Sequence, residues 1–123
     1  MKYGILIVSH VAEIAAGIPL LLAQVAQDVP ITSAGGTDDQ QIGTSLTKIQ
    51  QAMAANKGEE ILAFYDLGSA KMNLELAAEF AEKKIKIYDT ALIEGAYTAA
   101  SLLQAGVSLA EVEKQLLPLK IKG

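Results

Sequence analysis

The chain has 123 residues, a net charge of −4 and a pI near 4.9, and 51% of its residues are hydrophobic. That is one domain's length, with enough apolar material to bury a core unaided; its ten basic residues are all lysines, spread along the chain, so no basic stripe exists for nucleic acid or anionic lipid. The lack of cysteine excludes disulfides, zinc–thiolate sites and thiol chemistry, and suits a reducing cytoplasm.

Lys2 followed by an apolar run raises the question of a signal peptide or membrane span. His10, Glu13, Gly17 and Pro19 interrupt that run. It falls short of the roughly 20 apolar residues a span needs and of a typical signal core. The expectation is a soluble cytoplasmic protein, a single domain over residues 1–123, with no linker or internal repeat.

Residues 3–9 are an apolar run without alternation, the pattern of a strand buried on both faces. Residues 11–27 predict a helix with Val11, Ile14, Ala15, Ile18, Leu22 and Val25 inward, weakened by Gly17 and kinked at Pro19. Residues 29–34 predict a second strand, followed by the loop signal AGGTDD at 34–39. Thr37 and Gln40 have capping-box spacing for a helix over roughly 39–56, with Ile42, Leu46, Ile49 and Met53 inward and Asn56-Lys57-Gly58 as its stop.

Residues 60–65 predict the third strand, Asp66 to Ser69 a turn, and about 70–83 a helix with Leu74, Ala77, Phe80 and Ala81 inward. Residues 85–88 predict the fourth strand, and about 91–105 a helix ending at Gly106. Ser108 and Glu111 form a second capping box, opening a short helix to about 117 that Pro118 stops; LKIKG is then a tail or a short extra edge strand. The order βαβαβαβαα predicts an α/β fold: an open, mostly parallel four-stranded sheet in the order 2-1-3-4, with helices on both faces.

In such a sheet, ligands bind beyond the carboxyl ends of the strands at the switch point, here between strands one and three. Ser9-His10 and Asp66-Leu67-Gly68-Ser69 lie there, with Ala34 to Asp39 on the other side of His10. His10 is the only histidine, and histidine is the side chain whose ordinary pKa suits chemistry near neutrality. A carboxylate on one imidazole nitrogen fixes the tautomer and sharpens the other nitrogen as a nucleophile, and Asp66 is the candidate. Backbone N–H groups at Gly35, Gly36, Thr37, Gly68 and Ser69 and at the start of the first helix suit an anion without any arginine.

Walker-type and dinucleotide-binding glycine motifs are absent, and one histidine among scattered aspartates lacks metal-ligand spacing. Each feature also has a plainer use. His10 and Asp66 can be cap or turn residues, and Gly35-Gly36 a turn. Gly43 suits close helix packing, Asp38-Asp39 a helix dipole, and Glu94-Gly95-Ala96 close packing or a dimer face.

Four stretches taken together, GILIVSHVAEIAAG (4–17), AGGTDDQQIGTSLTKI (34–49), DLGSAKMN (66–73) and ALIEGAYTAA (91–100), resemble the mannose-type enzyme IIA family of the bacterial phosphotransferase system. Within it they are similar to the phosphotransferase subunits of phosphoenolpyruvate-dependent dihydroxyacetone kinases. The resemblance implies that His10 accepts a phosphoryl group from the phosphocarrier HPr while Asp66 orients its imidazole. Gly36, Thr37, Gly68 and Ser69 would line the phosphoryl pocket. The group would pass to ADP, held with magnesium on the partner subunit DhaL, which phosphorylates dihydroxyacetone on DhaK.

The resemblance further implies a homodimer, a stand-alone form of the domain, and no metal or cofactor of its own. Two rivals remain at this point. One is a mannose-type sugar enzyme IIA that donates to a IIB protein. The other is a receiver-like module in which Asp66 works and His10 is incidental, against which stands the lack of an acidic cluster after the first strand.

Overall fold

Ile5 to Val8 have no polar alternation, and both of their faces are covered. In the computed structural model, which describes residues 2–123, they form the middle of β1 (Tyr3–Ser9). The chain continues through α1 (Ala12–Ala23), β2 (Ile31–Gly35), α2 (Leu46–Ala55), β3 (Glu60–Tyr65), α3 (Gly68–Glu79), β4 (Lys84–Tyr88), α4 (Leu92–Gln104) and α5 (Leu109–Leu116). All strand pairs are parallel and the sheet order is β2-β1-β3-β4, as the sequence predicts.

The side-chain period of two divides each inner strand between two cores. Ile5 and Ile7 of β1 with Leu62 and Phe64 of β3 meet Ile18 and Leu22 of α1, the alanines of α4, and Val112 and Leu116 of α5. Leu6 and Val8 with Ile61, Ala63 and Tyr65 meet Ile49 and Met53 of α2 and Leu74 of α3. Register levels the strand ends: Ser9 lies opposite Gly35, and Val8 opposite Tyr65. His10 and Asp66 therefore leave the sheet side by side.

Several element boundaries differ from expectation. The first helix runs unbroken through Pro19 but stops at Ala23, and Ile14 is 43% exposed rather than inward. The second strand sits at 31–35 instead of 29–34. The largest change is the expected helix over 39–56, which begins only at Leu46. Gln40 (φ 63°) and Gly43 (φ 141°) adopt left-handed backbone, which a helix cannot include. Ser45, whose hydroxyl accepts from the Lys48 N–H at 3.1 Å, is the actual N-cap, and Asp38 accepts from that hydroxyl. Ile42, expected inward, is 73% exposed.

Asn56 ends α2 through its side chain. Its amide donates to Ile5 O (2.9 Å) and Thr32 Oγ1 (3.0 Å) and accepts from the Gly58 N–H. Phe80, also expected inward, follows the end of α3 and is 72% exposed. Gly106 (φ 81°) closes α4 as expected, with Gly106 N–H donating to Leu103 O and Val107 N–H to Leu102 O. Gly95 packs closely, since a Cβ there would stand 1.9 Å from Thr90 Oγ1. After Pro118 the tail makes a single antiparallel bridge, Thr90 to Lys120, rather than a strand. No helix among the described residues is long and apolar enough to cross a membrane.

Candidate active site

Asp66 is where the switch point is built. Its two carboxylate oxygens receive Ser9 Oγ–H (2.8 Å), the His10 backbone N–H (2.9 Å), His10 Nδ1–H (2.8 Å) and the Leu67 N–H (2.8 Å). Partial burial pushes the carboxyl up, but the bonds from His10, Ser9 and Leu67 outweigh it and hold the pKa below its ordinary value. A carboxylate that stays ionised can only accept, so Nδ1 of His10 carries the proton. In the neutral tautomer that this bond selects, Nε2 bears the lone pair and accepts from the Ser69 hydroxyl.

The imidazole is held without being sealed in: the His10 side chain is 13% exposed. Its backbone is pinned from both sides, with N–H on Asp66 and C=O accepting from the Gly43 N–H at 2.9 Å. Gly43 thus has a definite purpose: its left-handed backbone turns the β2–α2 loop back onto the residue that carries the imidazole. Asn73 of α3 donates to Thr44 Oγ1 at 2.8 Å and ties the same loop to the helix that brings Ser69.

Of the six site residues expected from sequence, four converge: His10, Asp66, Gly68 and Ser69. Gly68 and Ser69 open α3, and their N–H groups find no partner among the described residues, whereas the Ala70 N–H bonds Leu67 O. Two unpaired donors at a helix start, beside a hydroxyl on Nε2, form a ready receptor for an anion. Gly36 and Thr37 differ from expectation. The Gly36 N–H is spent on Ser9 O (3.3 Å) and the Thr37 N–H on Gln41 O (3.0 Å), while the Thr37 hydroxyl accepts from the Gln41 N–H. These amides build the loop, while the Thr37 hydroxyl, which only accepts here, keeps a proton to donate. Among the described residues no three His, Cys, Asp or Glu side chains gather as a metal site.

Sequence reasoning passed over Ser9, which is fully buried and links Asp66 to the Val11 N–H at the start of α1. The available signal was a lone hydroxyl closing an apolar strand beside the only histidine. The arrangement does one chemical thing well. It presents an oriented neutral imidazole nitrogen next to anion-binding N–H groups, as nucleophilic capture of a phosphoryl group requires.

Residues 4–113 match the model of the EIIA-man family, described as the PTS system fructose IIA component. The chain is 45% identical over 116 residues, 94% of each chain, to the PTS-dependent dihydroxyacetone kinase phosphotransferase subunit DhaM of Lactococcus lactis subsp. lactis (strain IL1403). It is 39% identical over 120 residues, covering 98% of this chain and 97% of the relative, to the PEP-dependent dihydroxyacetone kinase 1 phosphoryl donor subunit DhaM of Listeria innocua serovar 6a. The crystal structure of a protein of unknown function, EF1359, superposes with a TM-score of 0.85 at 32% identity, covering 100% of this chain and 98% of that one.

Proposed function

The chain belongs to the EIIA-man family of the phosphotransferase system, and from that premise we propose that it is the phosphoryl-donor subunit of a phosphoenolpyruvate-dependent dihydroxyacetone kinase, carrying the phosphoryl group on Nε2 of His10. The observation that carries this reading is the 2.8 Å bond between Nδ1 of His10 and Asp66, which selects the tautomer whose Nε2 bears the lone pair, beside the Ser69 hydroxyl. The likeness to two DhaM proteins over nearly the whole chain supports the role of donor subunit.

In the first step the Nε2 lone pair attacks the phosphorus of the phosphohistidine on HPr. The donor's N–P bond breaks and its electron pair returns to the donor imidazole. As His10 becomes cationic, Asp66 balances the charge through Nδ1–H. Ser69 gives up its bond to Nε2 and turns its hydroxyl to a phosphoryl oxygen, joined by the N–H groups of Gly68 and Ser69. In the second step a terminal oxygen of ADP, bound with magnesium on DhaL, attacks the same phosphorus, and the electron pair of the breaking N–P bond returns to Nε2. DhaL then phosphorylates dihydroxyacetone on DhaK. The chain needs no cofactor of its own for either step. It acts in the cytoplasm as a homodimer.

The family model's description, a fructose component, favours one alternative: a sugar-specific IIA that donates to a IIB protein. The receiver reading is opposed by Asp66 itself, whose oxygens are engaged by four donors behind the imidazole. The test is intact mass after incubation with phosphoenolpyruvate, enzyme I and HPr, followed by ADP-loaded DhaL. One phosphoryl group that DhaL–ADP discharges supports the proposal. A group that DhaL–ADP leaves in place and a IIB protein removes supports the alternative.

Ser69→Ala should slow phosphoryl uptake about three- to tenfold, the value of roughly one net hydrogen bond, with little change in melting temperature. Rapid-quench kinetics will read this. An unchanged rate would reduce Ser69 to a cover over the resting nitrogen.

A further inference from the structure

The segment after Pro118 crosses the carboxyl edge of the sheet. Ala91 N–H donates to Leu119 O (3.0 Å), and Ile121 and Lys122 N–H both donate to Asp89 O (3.1 and 3.3 Å). This fold-back delivers the Lys122 ammonium to two carbonyls, Tyr65 O at 2.9 Å and Thr90 O at 2.8 Å, and sets it 4.6 Å from the centre of the Tyr65 ring.

Tyr65 O belongs to the peptide that leads into Asp66. The N–H of that same peptide, on Asp66, donates to Val8 O of β1 at 3.2 Å. Pairing of β3 with β4 stops at Phe64 and Tyr88, so the ladder has ended where this carbonyl emerges. Lys122 takes over there with a charge-assisted bond, stronger than the neutral one it replaces. The ring beneath it is fixed in turn: Tyr65 is fully buried, its hydroxyl donates to Asp89 at 2.6 Å, and Asp89 pairs with Lys71 of α3 at 2.8 Å. The other lysine on a strand-end carbonyl, Lys48, donates to Gly35 O of β2, on the opposite side of β1. Burial pushes the Lys122 ammonium down while the carboxylates of Asp66 and Asp89 act the other way, so it lies within their field.

We propose that Lys122 is a positioning residue for phosphoryl transfer at His10, gripping the peptide that carries Asp66 and so setting how the Asp66 carboxylate meets the imidazole. This rests on the reading of His10 as phosphoryl carrier. Misorientation of a supporting group costs rate more than affinity, and Lys122 acts on the peptide before Asp66 without touching the imidazole itself.

Rapid-quench transfer from phosphorylated HPr to wild type, Lys122→Met, Lys122→Gln and Lys122→Arg tests this. Expected are a roughly tenfold fall in kcat for Lys122→Met, a KM for the donor within about twofold of wild type, and recovery of most of the rate in Lys122→Arg. Lys122→Gln, which keeps a donor without charge, should fall between; should the methionine variant not fold, the glutamine-to-arginine comparison gives the same answer. Wild-type kcat in Lys122→Met overturns the proposal, as does a loss carried by KM alone or one that arginine does not relieve. Wild type that takes up no phosphoryl group overturns the function itself, a result distinct from these.

Discussion

His10→Ala takes up no measurable phosphoryl group, at least about ten-thousandfold below wild type, and still folds. The chain holds no second histidine and no cysteine to substitute as a nitrogen or sulfur nucleophile. The fold should survive because the truncated groups lie at the rim of the sheet. The backbone of residue 10 keeps its bonds to Asp66 and Gly43, and Asp66 retains the donors of Ser9 and Leu67. Two side-chain hydrogen bonds disappear without leaving a buried charge unpaired, a loss of about 1–2 kcal/mol. Mass spectrometry after incubation with phosphorylated HPr, with a thermal melt of the same sample, checks both halves. A variant that unfolds would make His10 a structural residue, and phosphate on Asp66 or Ser69 would reassign the nucleophile.

Asp66→Asn is the second large effect. Four donors converge on two oxygens, and an amide has only one oxygen and a nitrogen that itself donates. Whichever way the amide turns, some donors face its NH2. If Nδ1–H is among them, the imidazole shifts tautomer and Nε2 takes the proton. The rate of transfer should fall about a hundred- to a thousandfold, with a loss of roughly 2–3 kcal/mol in stability. The acid limb of the stability curve should also change. The folded-state pKa of Asp66 is depressed, so its contribution is complete above the unfolded value of about 4 and is lost as pH falls through the folded one. Wild type therefore sheds this contribution below about pH 4, and Asp66→Asn does not. Asp89 and Glu113, also depressed, titrate in the same direction in both proteins. Urea midpoints from pH 2.5 to 7 give the two slopes, and parallel acid limbs would remove Asp66 from the account.

The parts of the fold set by local pattern could be seen in the sequence. The unbroken apolar run of β1 required two covered faces, and the alternation of strands and helices fixed the order and brought His10 beside Asp66. Where two local signals competed, the weaker-looking one won. The Thr37–Gln40 spacing resembled a capping box, yet Gly43 and Gln40 needed left-handed backbone, and Ser45 capped the helix instead. Phe80 carried the helical period one residue beyond the end of α3. Gly36 and Thr37 were placed near the site, but sequence could not reveal that their N–H groups are committed within the loop. Lys122 left no signal at all, because its place depends on a fold-back of the chain and on two carbonyls far away in sequence.

The central claim is that Asp66 holds Nδ1 and frees Nε2 for the phosphoryl group. With one histidine in the chain, the nitrogen-15 and phosphorus-31 spectra of the phosphorylated protein contain a single imidazole and report directly which nitrogen bears phosphorus. The account predicts phosphorus on Nε2 with Nδ1 still protonated; phosphorus on Nδ1 would contradict it.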